Sequence, residues 1–199
     1  MDIEHFCLGC MSYLENPNAP CPNCGWQKNM KNPPQAFEIG CTLSDENHSA
    51  EYIIGKFLGQ NDFTVTYLAW SVNYQEKVVV KEYFPNGLAA RNLDSKKIAP
   101  YEVNIFNDGV TNFIETARKM PEFSREPNFV KIKNFFLANN TAYLVTEYIE
   151  GQSLTQILQK IGGRLKIQEI LSLLNPLADI LEKMHFPKKI LTGNILESL

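Results

Sequence analysis

The sequence predicts an α+β fold, in which a small cysteine-rich segment precedes an antiparallel sheet with one helix and then a shorter helical part. Two pairs of closely spaced cysteines lie within the first 24 residues. Runs of β-branched and aromatic residues with period-two alternation fill much of residues 52–83 and 131–148. Apolar residues at helical spacing follow these runs, at residues 108–120 and 153–185. Strands and helices segregated in this way are typical of α+β domains.

The size and charge of the chain limit its class. With 199 residues, of which 44% are hydrophobic, the chain suits one medium domain with a small appendage. The net charge of −3 provides no basic field for a nucleic-acid backbone, so nucleic-acid binding is not expected. The sequence shows neither a signal peptide nor a run of about 18 apolar residues that would span a membrane. We therefore expect a cytoplasmic protein that does not enter a membrane.

Four of the five cysteines form two pairs, Cys7-x2-Cys10 and Cys21-x2-Cys24, with ten residues between the pairs. This spacing is typical of a zinc ribbon, in which each pair supplies two thiolates to one tetrahedral ion. Two disulfides are the alternative, but a chain without a secretory signal is expected in a reducing compartment. Four thiolates close the coordination shell, so the predicted zinc is structural and supplies folding free energy to a short segment. His5 could substitute as a ligand, but we expect it to be a solvated side chain near the terminus.

The segment after the cysteines predicts little regular structure. Gln27–Gln35 contains two consecutive prolines and predicts an extended linker. Phe37–Ala50 is polar and irregular, and Leu43 is its expected anchor. The predicted organisation is a zinc ribbon at residues 1–30, a linker at 31–50, a sheet-containing lobe at 51–150 and a helical part at 151–199.

The middle of the chain predicts a hairpin and a third strand. Tyr52–Leu58 and Phe63–Trp70 are apolar runs that flank the turn-forming Gly59–Asp62, which predicts an antiparallel pair. The third strand is Val78–Tyr83, whose alternation places Lys81 among apolar neighbours on one face. A cation beneath a hairpin in this way could contact the phosphates of a nucleotide.

The second half of the sequence predicts three helices and one further hairpin. A connection at Asn86–Asn107 leads to a first helix, whose apolar residues recur at i, i+3, i+4 and i+7. Asn139-Asn140 joins two alternating runs and predicts the turn of the hairpin. The predicted bounds are Asp108–Met120 for the first helix, Lys131–Leu137 and Thr141–Tyr148 for the strands, and Ser153–Ile161 and Ile167–His185 for the last two helices.

Several of these motifs, in this order, resemble a group of bacterial serine/threonine protein kinases. The hairpin resembles the kinase glycine loop G-x-G-x-x-G, whose three positions hold Gly59, Asn61 and Thr64 here. The third strand resembles the VAIK strand and continues into the pentapeptide KEYFP at residues 81–85, which Ala89-x-Arg91 follows. The resemblance implies a protein-kinase-like amino-terminal lobe, made of an antiparallel sheet plus one helix, and a partial helical carboxy-terminal lobe.

The resemblance also implies a site for ATP and magnesium. In the family, a strand lysine contacts the phosphates, the glycine loop covers them, the hinge backbone binds adenine, and apolar side chains enclose the base. The corresponding residues of this sequence are Lys81 for the phosphates, Gly59 for the loop, Glu147 and Ile149 for the hinge, and Val79 with Leu196 for the base.

Other positions depart from the kinase pattern. Thr116 stands where the helix glutamate pairs with the strand lysine, and Glu115, one residue earlier, is expected to face solvent. The HRD motif that supplies the catalytic aspartate is absent between His185 and Asn194. The sequence reaches Leu199 without a DFG motif.

These departures lead to a first hypothesis, a catalytically inactive, pseudokinase-like module for interaction or regulation that carries a structural zinc ribbon. The apolar helices of its incomplete carboxy-terminal lobe are then expected to bind a protein partner or a second copy of the chain. The alternative is that the chain is the amino-terminal part of an ATP-binding serine/threonine protein kinase. Nucleic-acid recognition by the ribbon is a third hypothesis, which the acidic charge balance disfavours.

Overall fold

A computed structural model describes residues 3–92 and 94–185, and it confirms the predicted α+β class. Six strands form one antiparallel sheet in the order β1-β2-β3-β4-β8-β7, and β5 pairs with β6 separately. The strands are β1 (Thr42–Ser44), β2 (Glu51–Gln60), β3 (Thr64–Ser71), β4 (Glu76–Tyr83), β5 (Ala89–Arg91), β6 (Ile98–Pro100), β7 (Ile132–Ala138) and β8 (Thr141–Glu147). The helices are α1 (Val103–Lys119), α2 (Leu154–Lys160) and α3 (Ile167–His185).

The described chain divides into two compact units. The first unit comprises the residues up to Arg118 together with Ile132–Tyr148, and the second comprises Lys119–Lys131 and the described residues from Ile149 onward. The cysteine segment, residues 3–30, and both sheets therefore belong to the first unit. No helix among residues 3–92 and 94–185 combines the length and apolar character that a membrane span requires.

The predicted hairpin is formed by β2 and β3, with one correction. Strand β2 continues through Gly59 to Gln60, which pairs with Val65, so Gly59 lies in the strand and not in the turn. The turn is instead Asn61–Phe63, because the side chain of Asn61 supplies the hydrogen bonds that close it. The pairing of β2 with β3 also shifts register twice between Ile54 and Gly59.

Strand β4 lies between β3 and β8 in the large sheet. Val78, Val80 and Glu82 occupy one face of β4 and are buried in the main core. Val79 and Lys81 occupy the opposite face and are half-buried, so the predicted alternation is confirmed. Full burial of each valine contributes about 1.5–3 kcal/mol to stability, which makes this face a main stabiliser of the sheet.

Residues 36–50 contribute to the core of the first unit, which corrects the prediction of an irregular stretch anchored by Leu43. The ring of Phe37 is buried and lies 5.6 Å from the ring of Tyr67. Leu43 is buried as expected, but it belongs to the edge strand β1, which pairs with β2. Sequence periodicity missed this role because the Phe37 backbone N–H bonds a hydroxyl 30 residues away.

Helix α1 begins at Val103, five residues before the predicted start at Asp108. The additional turn places Phe106 in the core, where its ring lies 5.4 Å from that of Tyr83. Gly109 lies over the same tyrosine ring, and a Cβ at this position would overlap the ring. The connection before the helix contains β5 and β6, so it is more regular than the sequence predicted.

The turn between β7 and β8 confirms the predicted hairpin. Asn139 and Asn140 have φ angles of 52° and 60°. Two consecutive residues with positive φ are typical of a type I′ turn, whose twist matches that of the flanking strands. Asparagine tolerates this backbone region better than most residues.

The second unit contains α2 and α3, whose bounds agree closely with the predicted ones. Ser153 caps α2, and the side chain of Gln156 bonds back to the Ser153 N–H, which forms a capping box. Ile180 and Met184 are buried in α3. The Lys183 ammonium pairs with the Glu126 carboxylate at 2.6 Å. Many apolar side chains of the two helices remain exposed, namely Leu154, Ile157, Ile167, Leu171, Leu173, Leu174 and Leu177. Ile161, which directly follows α2, is exposed as well.

Candidate functional site

The four paired cysteines lie on two turns of similar shape. In the first turn the Cys7 N–H donates to the Ser12 carbonyl at 2.9 Å, and Met11 has a φ of 57°. In the second turn the Cys21 N–H donates to the Trp26 carbonyl at 2.9 Å, and Gly25 has a φ of 73°. Each pair of cysteines is therefore followed by a left-handed residue that folds the chain back and directs both thiols to the same side.

The sulfur atoms of these turns form one cluster. All four Sγ atoms, from Cys7, Cys10, Cys21 and Cys24, lie within 4.8 Å of one another. Two of the pairs between the turns are Cys7 with Cys24 at 3.5 Å and Cys10 with Cys21 at 3.7 Å. A tetrahedral ion with metal–sulfur bonds of about 2.3 Å requires sulfur separations of about 3.8 Å. The cluster therefore fits a metal ion with four thiolate ligands.

The surroundings of the thiols favour charge on Cys21. Burial raises the pKa of Cys21, but the backbone N–H groups of Asn23 and Cys24 outweigh burial and lower it to about 6. Burial and the neighbouring Cys21 thiol raise the pKa of Cys7. The Ser12 hydroxyl lies 3.0 Å from the Cys10 sulfur. Burial also raises the pKa of Cys24. A first thiolate is thus available at Cys21 near neutral pH, and a bound cation would favour charge on Cys7 and Cys24 as well.

Two neighbouring residues lie outside the cluster. The predicted alternative ligand His5 is half-buried, and its Nδ1 donates to the Leu14 carbonyl at 2.9 Å, so the expectation of a solvated side chain was wrong. Cys41 is half-buried elsewhere, and burial raises its pKa to about 11. Trp26 is buried and packs in one apolar cluster with Cys7 and Cys21.

Lys81, the predicted phosphate contact, projects from the half-buried face of β4. It pairs with Thr66 on β3 and with Leu144 on β8, so strands on both sides fix its backbone. Burial lowers the pKa of Lys81 to about 8. Val79, predicted to contact the base, lies two residues earlier on the same face.

The turn after Gly59 is closed by its own side chains. The Asn61 Oδ1 atom accepts hydrogen bonds from the N–H of Phe63 at 3.0 Å and from the N–H of Thr64 at 2.7 Å. It also accepts one from the Thr64 hydroxyl at 3.0 Å. In a glycine loop, backbone N–H groups of this kind point at phosphate oxygens. Here an amide oxygen already occupies that position.

The predicted hinge residues lie at the end of β8 and just after it. Glu147 is the last residue of β8 and pairs with Val78. Ile149 is 67% exposed and belongs to the second unit. Leu196, predicted to contact the base, and Asn194 lie outside the described residues. The assignment of these residues to a nucleotide therefore stays a prediction.

Helix α1 directs Glu115 away from the core, as the sequence predicted. Its carboxylate is exposed and pairs with the Arg118 guanidinium at 3.2 Å. Thr116, which stands at the position of the family's glutamate, is half-buried. The acidic side chain of this helix segment therefore faces solvent.

Sequence reasoning missed a buried network behind β4. Glu82 accepts hydrogen bonds from the Tyr67 hydroxyl at 3.1 Å and the Tyr143 hydroxyl at 2.8 Å, and it pairs with the Arg91 guanidinium. The same guanidinium lies 4.2 Å from the Phe37 ring centroid. Burial opposes its charge, but the Glu82 carboxylate outweighs burial and raises the pKa of Arg91.

The signal for this network was present in the sequence. Glu82 follows Val78 and Val80 at intervals of two residues, so it lies on the same face of the strand. A charge on a buried face needs a partner. Arg91, in the Ala-x-Arg motif, supplies it. The motif therefore maintains the sheet, and it does not contact the half-buried face that carries Lys81.

A cleft of about 900 Å³ lies between the cysteine segment and the following residues. Its walls include Trp26, Met30, Lys31, Asn32 and Phe37. None of the described residues that were predicted to contact a nucleotide lines this cleft. The cleft therefore marks the junction of the cysteine segment with the sheet, apart from the face that carries Lys81.

Two kinds of comparison with known proteins, one with family models and one with solved structures, give matches. A family model described as protein tyrosine and serine/threonine kinase matches residues 54–191, more than half of the chain. The solved structure of PpkA-294 in its apo form is similar to this chain, with a TM-score of 0.65 and 25% sequence identity. The similarity covers 77% of this chain and 53% of the PpkA-294 chain, so this chain spans about half the length of that structure. The search of curated proteins found no match.

Proposed function

This chain belongs to the protein tyrosine and serine/threonine kinase family, and we propose that it is a catalytically inactive member that acts by binding. In this proposal the fold serves as an interaction or regulatory module, and the four cysteines hold a structural zinc ion. The described residues differ at several positions from those that phosphoryl transfer requires.

The observation that carries the proposal is the closed turn after β2. Kinases hold the phosphates of ATP under the backbone of the glycine loop, which must be open to approach them. In this chain the N–H groups of Phe63 and Thr64 already donate to Asn61. A phosphate would have to displace the Asn61 amide and pass two side chains that replace glycines. This arrangement supports a fold that does not hold ATP in the manner of an active kinase.

Helix α1 supports the same conclusion. Active kinases fix the strand lysine with a glutamate from this helix. Here Thr116 stands at that position, and the neighbouring Glu115 pairs with Arg118 at the surface. The part of the machinery that orients the strand lysine is therefore changed together with the part that covers the phosphates.

The alternative function is the amino-terminal part of an ATP-binding serine/threonine protein kinase. Lys81 favours it, because the strand lysine is retained on a central strand and faces away from the buried Glu82 network. The partial coverage of PpkA-294 is also consistent with it. Under this alternative the hinge at Glu147 and Ile149 and the apolar Val79 and Leu196 contact adenine.

An ATP experiment separates the two functions. We expect the purified chain with radiolabelled ATP and Mg²⁺ to transfer no phosphate to itself or to a general protein substrate, and its melting temperature to be unchanged by ATP. A melting temperature that rises with ATP, and a rise that Lys81→Met abolishes, would support the kinase alternative, because an amino-terminal part without HRD and DFG motifs can bind ATP without transferring its phosphate. Phosphate transfer by the wild-type chain would refute the inactive module outright.

Two variants test whether the closed turn prevents the binding of ATP. The double variant N61G/T64G restores both glycines and frees the N–H groups of the turn, so we expect it to bind ATP more tightly than the wild-type chain. Asn73→Gly is the matched control, because the Asn73 side chain bonds the N–H of Glu51 at a different turn. If N61G/T64G binds no more ATP than N73G, the closed turn is not the barrier and the proposal loses its main support.

The metal is part of the proposal. The distances among the four Sγ atoms fit a tetrahedral ion, and zinc is the usual metal for four cysteines in a structural site. A closed thiolate shell leaves no position for substrate, so the zinc would stabilise the cysteine segment and take no part in chemistry.

The predicted partner and compartment remain proposals. We expect the exposed apolar side chains of α2 and α3 to contact a protein partner or a second copy of the chain, in the cytoplasm. Light scattering across a range of concentrations tests the second copy, because a chain that stays monomeric throughout would exclude it.

A further inference from the structure

Strand β2 has an irregular stretch just before the closed turn. The register of its pairing with β3 shifts between Ile54 and Phe57 and again between Phe57 and Gly59. Backbone groups of the intervening residues therefore need partners from outside the two strands. We refer to residues 55–57 as the β2 bulge.

The cysteine segment supplies one of these partners. The N–H of Lys56 donates to the Leu8 carbonyl at 2.9 Å. Leu8 lies between Cys7 and Cys10, within the turn that holds two of the four thiols. The turn that would hold the metal is thus bonded directly to the β2 bulge.

The Asn32 side chain supplies partners for two further backbone groups of the bulge. Its Oδ1 atom accepts from the N–H of Phe57 at 2.8 Å. Its Nδ2 group donates to the Gly55 carbonyl at 3.0 Å and to the Phe37 carbonyl at 2.9 Å. One side chain from the segment after the cysteines therefore bonds two residues of the bulge.

The packing at this junction is close. A Cβ at Gly55 would overlap both the Met11 side chain and the Leu8 carbonyl oxygen, so glycine is required there. The Phe6 ring meets the Trp70 ring edge-on, with the ring centroids 4.6 Å apart. The first cysteine turn thus contacts β2 and β3 through main chain and side chains.

We propose that metal occupancy of the four-cysteine cluster controls the conformation of the β2 bulge and of the Asn61–Phe63 turn that follows it. Without the ion, four thiols and a segment of about 25 residues cannot maintain the first turn, because such a segment buries too little surface. The Leu8 carbonyl then leaves Lys56, and the bulge loses a fixed partner five residues before the turn begins at Asn61. The metal acts as a switch on the loop-bearing strand of the kinase fold.

The inference rests on metal binding by the cysteines and not on the absence of catalysis. Phosphate transfer by the chain would refute the inactive module and leave this coupling intact. Conversely, the coupling can fail in a chain that is fully inactive and binds zinc, so the two proposals fail separately.

Hydrogen exchange on the full chain tests the coupling. The zinc-loaded chain is compared with the chain after chelation, with metal content measured in both samples. We expect the N–H groups of Lys56, Phe57, Phe63 and Thr64 to exchange about tenfold faster after metal loss, as for the loss of supporting hydrogen bonds. Exchange at Leu144 and Val145 of β8 is expected to be unchanged.

Two results would overturn the proposal. If Phe63 and Thr64 exchange at the same rate after complete metal loss, the ion does not act on the turn. If the exchange of Leu144 and Val145 in β8 becomes faster by the same factor, the ion stabilises the whole first unit and its effect is not localised at the bulge. Either result is read from the same experiment, without any activity measurement.

Asn32→Ala provides an independent test that leaves the cysteines in place. We expect this variant to keep its zinc and yet to show faster exchange at Phe57, Phe63 and Thr64 in the loaded state. Asn29→Ala, at an exposed position three residues earlier, is the matched control. Equal exchange rates at Phe63 and Thr64 in the two variants would show that the loss of the Asn32 hydrogen bonds at the bulge does not alter the turn.

Discussion

At the scale of single residues, the first four residues of the KEYFP pentapeptide lie in different surroundings. Lys81 lies on the half-buried face of β4, and Glu82 forms the buried network on the other face. Tyr83 packs beneath α1, and Phe84 lies 5.5 Å from the Arg91 guanidinium. The alternation of side chains along β4 thus places Lys81 on the half-buried face and Glu82 in the core on the opposite face.

We predict that Arg91→Met lowers the free energy of unfolding by about 3–5 kcal/mol, because it leaves the Glu82 carboxylate buried without its cation. Urea denaturation measures the change. Arg118→Met is the matched control, since its pair with Glu115 is exposed and contributes about 0–1 kcal/mol. Equal effects of the two variants would mean that the Tyr67 and Tyr143 hydroxyls alone stabilise the carboxylate.

The lowered pKa of Lys81 gives a prediction about pH. Burial lowers this pKa from 10.5 to about 8, so the amine loses its proton as the pH rises through about 8. Only the neutral amine reacts with an acylating reagent, and we expect half-maximal acetylation of Lys81 near that pH. Mass spectrometry of peptides labelled between pH 6 and about 10 measures it. A midpoint near that of an ordinary lysine would show that Lys81 is solvated.

At the scale of elements, caps and turns set the ends of helices and strands, while packing sets how far the elements extend. Asn139 and Asn140 fix the β7–β8 turn through positive φ angles. Helix α1 extends one turn beyond its predicted start because Phe106 finds a place in the core. Helix α2 is a different case from the β7–β8 turn and helix α1, because none of its residues is buried and its capping box is its main local support.

We therefore predict that Ser153→Ala frays α2 and leaves global stability almost unchanged. Loss of a helix cap costs about 0.5–2 kcal/mol, and in a helix without buried residues this cost stays local. Hydrogen exchange of residues 154–160 is expected to accelerate. Ser172→Ala, which removes a hydroxyl from the interior of α3, is the control. A large drop in the global unfolding free energy would contradict this local role.

At the scale of the whole molecule, the cysteine segment and the sheets share one compact unit. The hydrogen bond from the Lys56 N–H to the Leu8 carbonyl joins the two parts directly. We predict one zinc ion per chain, and its loss from Cys24→Ser. Elemental analysis measures the ion. Thermal unfolding measures the loss of stability, which lowers the melting temperature by about 2–4 °C per kcal/mol for a chain of this size.

Cys41→Ser is the control for this experiment, because Cys41 is half-buried outside the cluster. It is expected to keep the zinc and most of the stability. Equal zinc content in both variants would show that Cys24 is not a ligand and that the cluster binds no ion in the proposed way.

Features that repeat over short distances could be predicted from the amino-acid sequence alone. The spacing of two Cys-x2-Cys pairs predicted a cluster, alternation predicted the strands around Lys81, and Asn139-Asn140 predicted a turn. These patterns are local, because backbone geometry alone places residues two, three or four apart on a common face. The kinase resemblance depended on such local motifs, and the family match confirmed it.

Contacts between groups that are distant in the sequence became visible only in the folded chain. It paired Glu82 with Tyr143, 61 residues away, and joined Asn32 to Gly55, 23 residues away. It also placed Phe37 in the core and closed the turn with Asn61. No periodicity encodes these contacts, because a buried charge or a strand bulge specifies that a partner is needed and not where along the chain it lies.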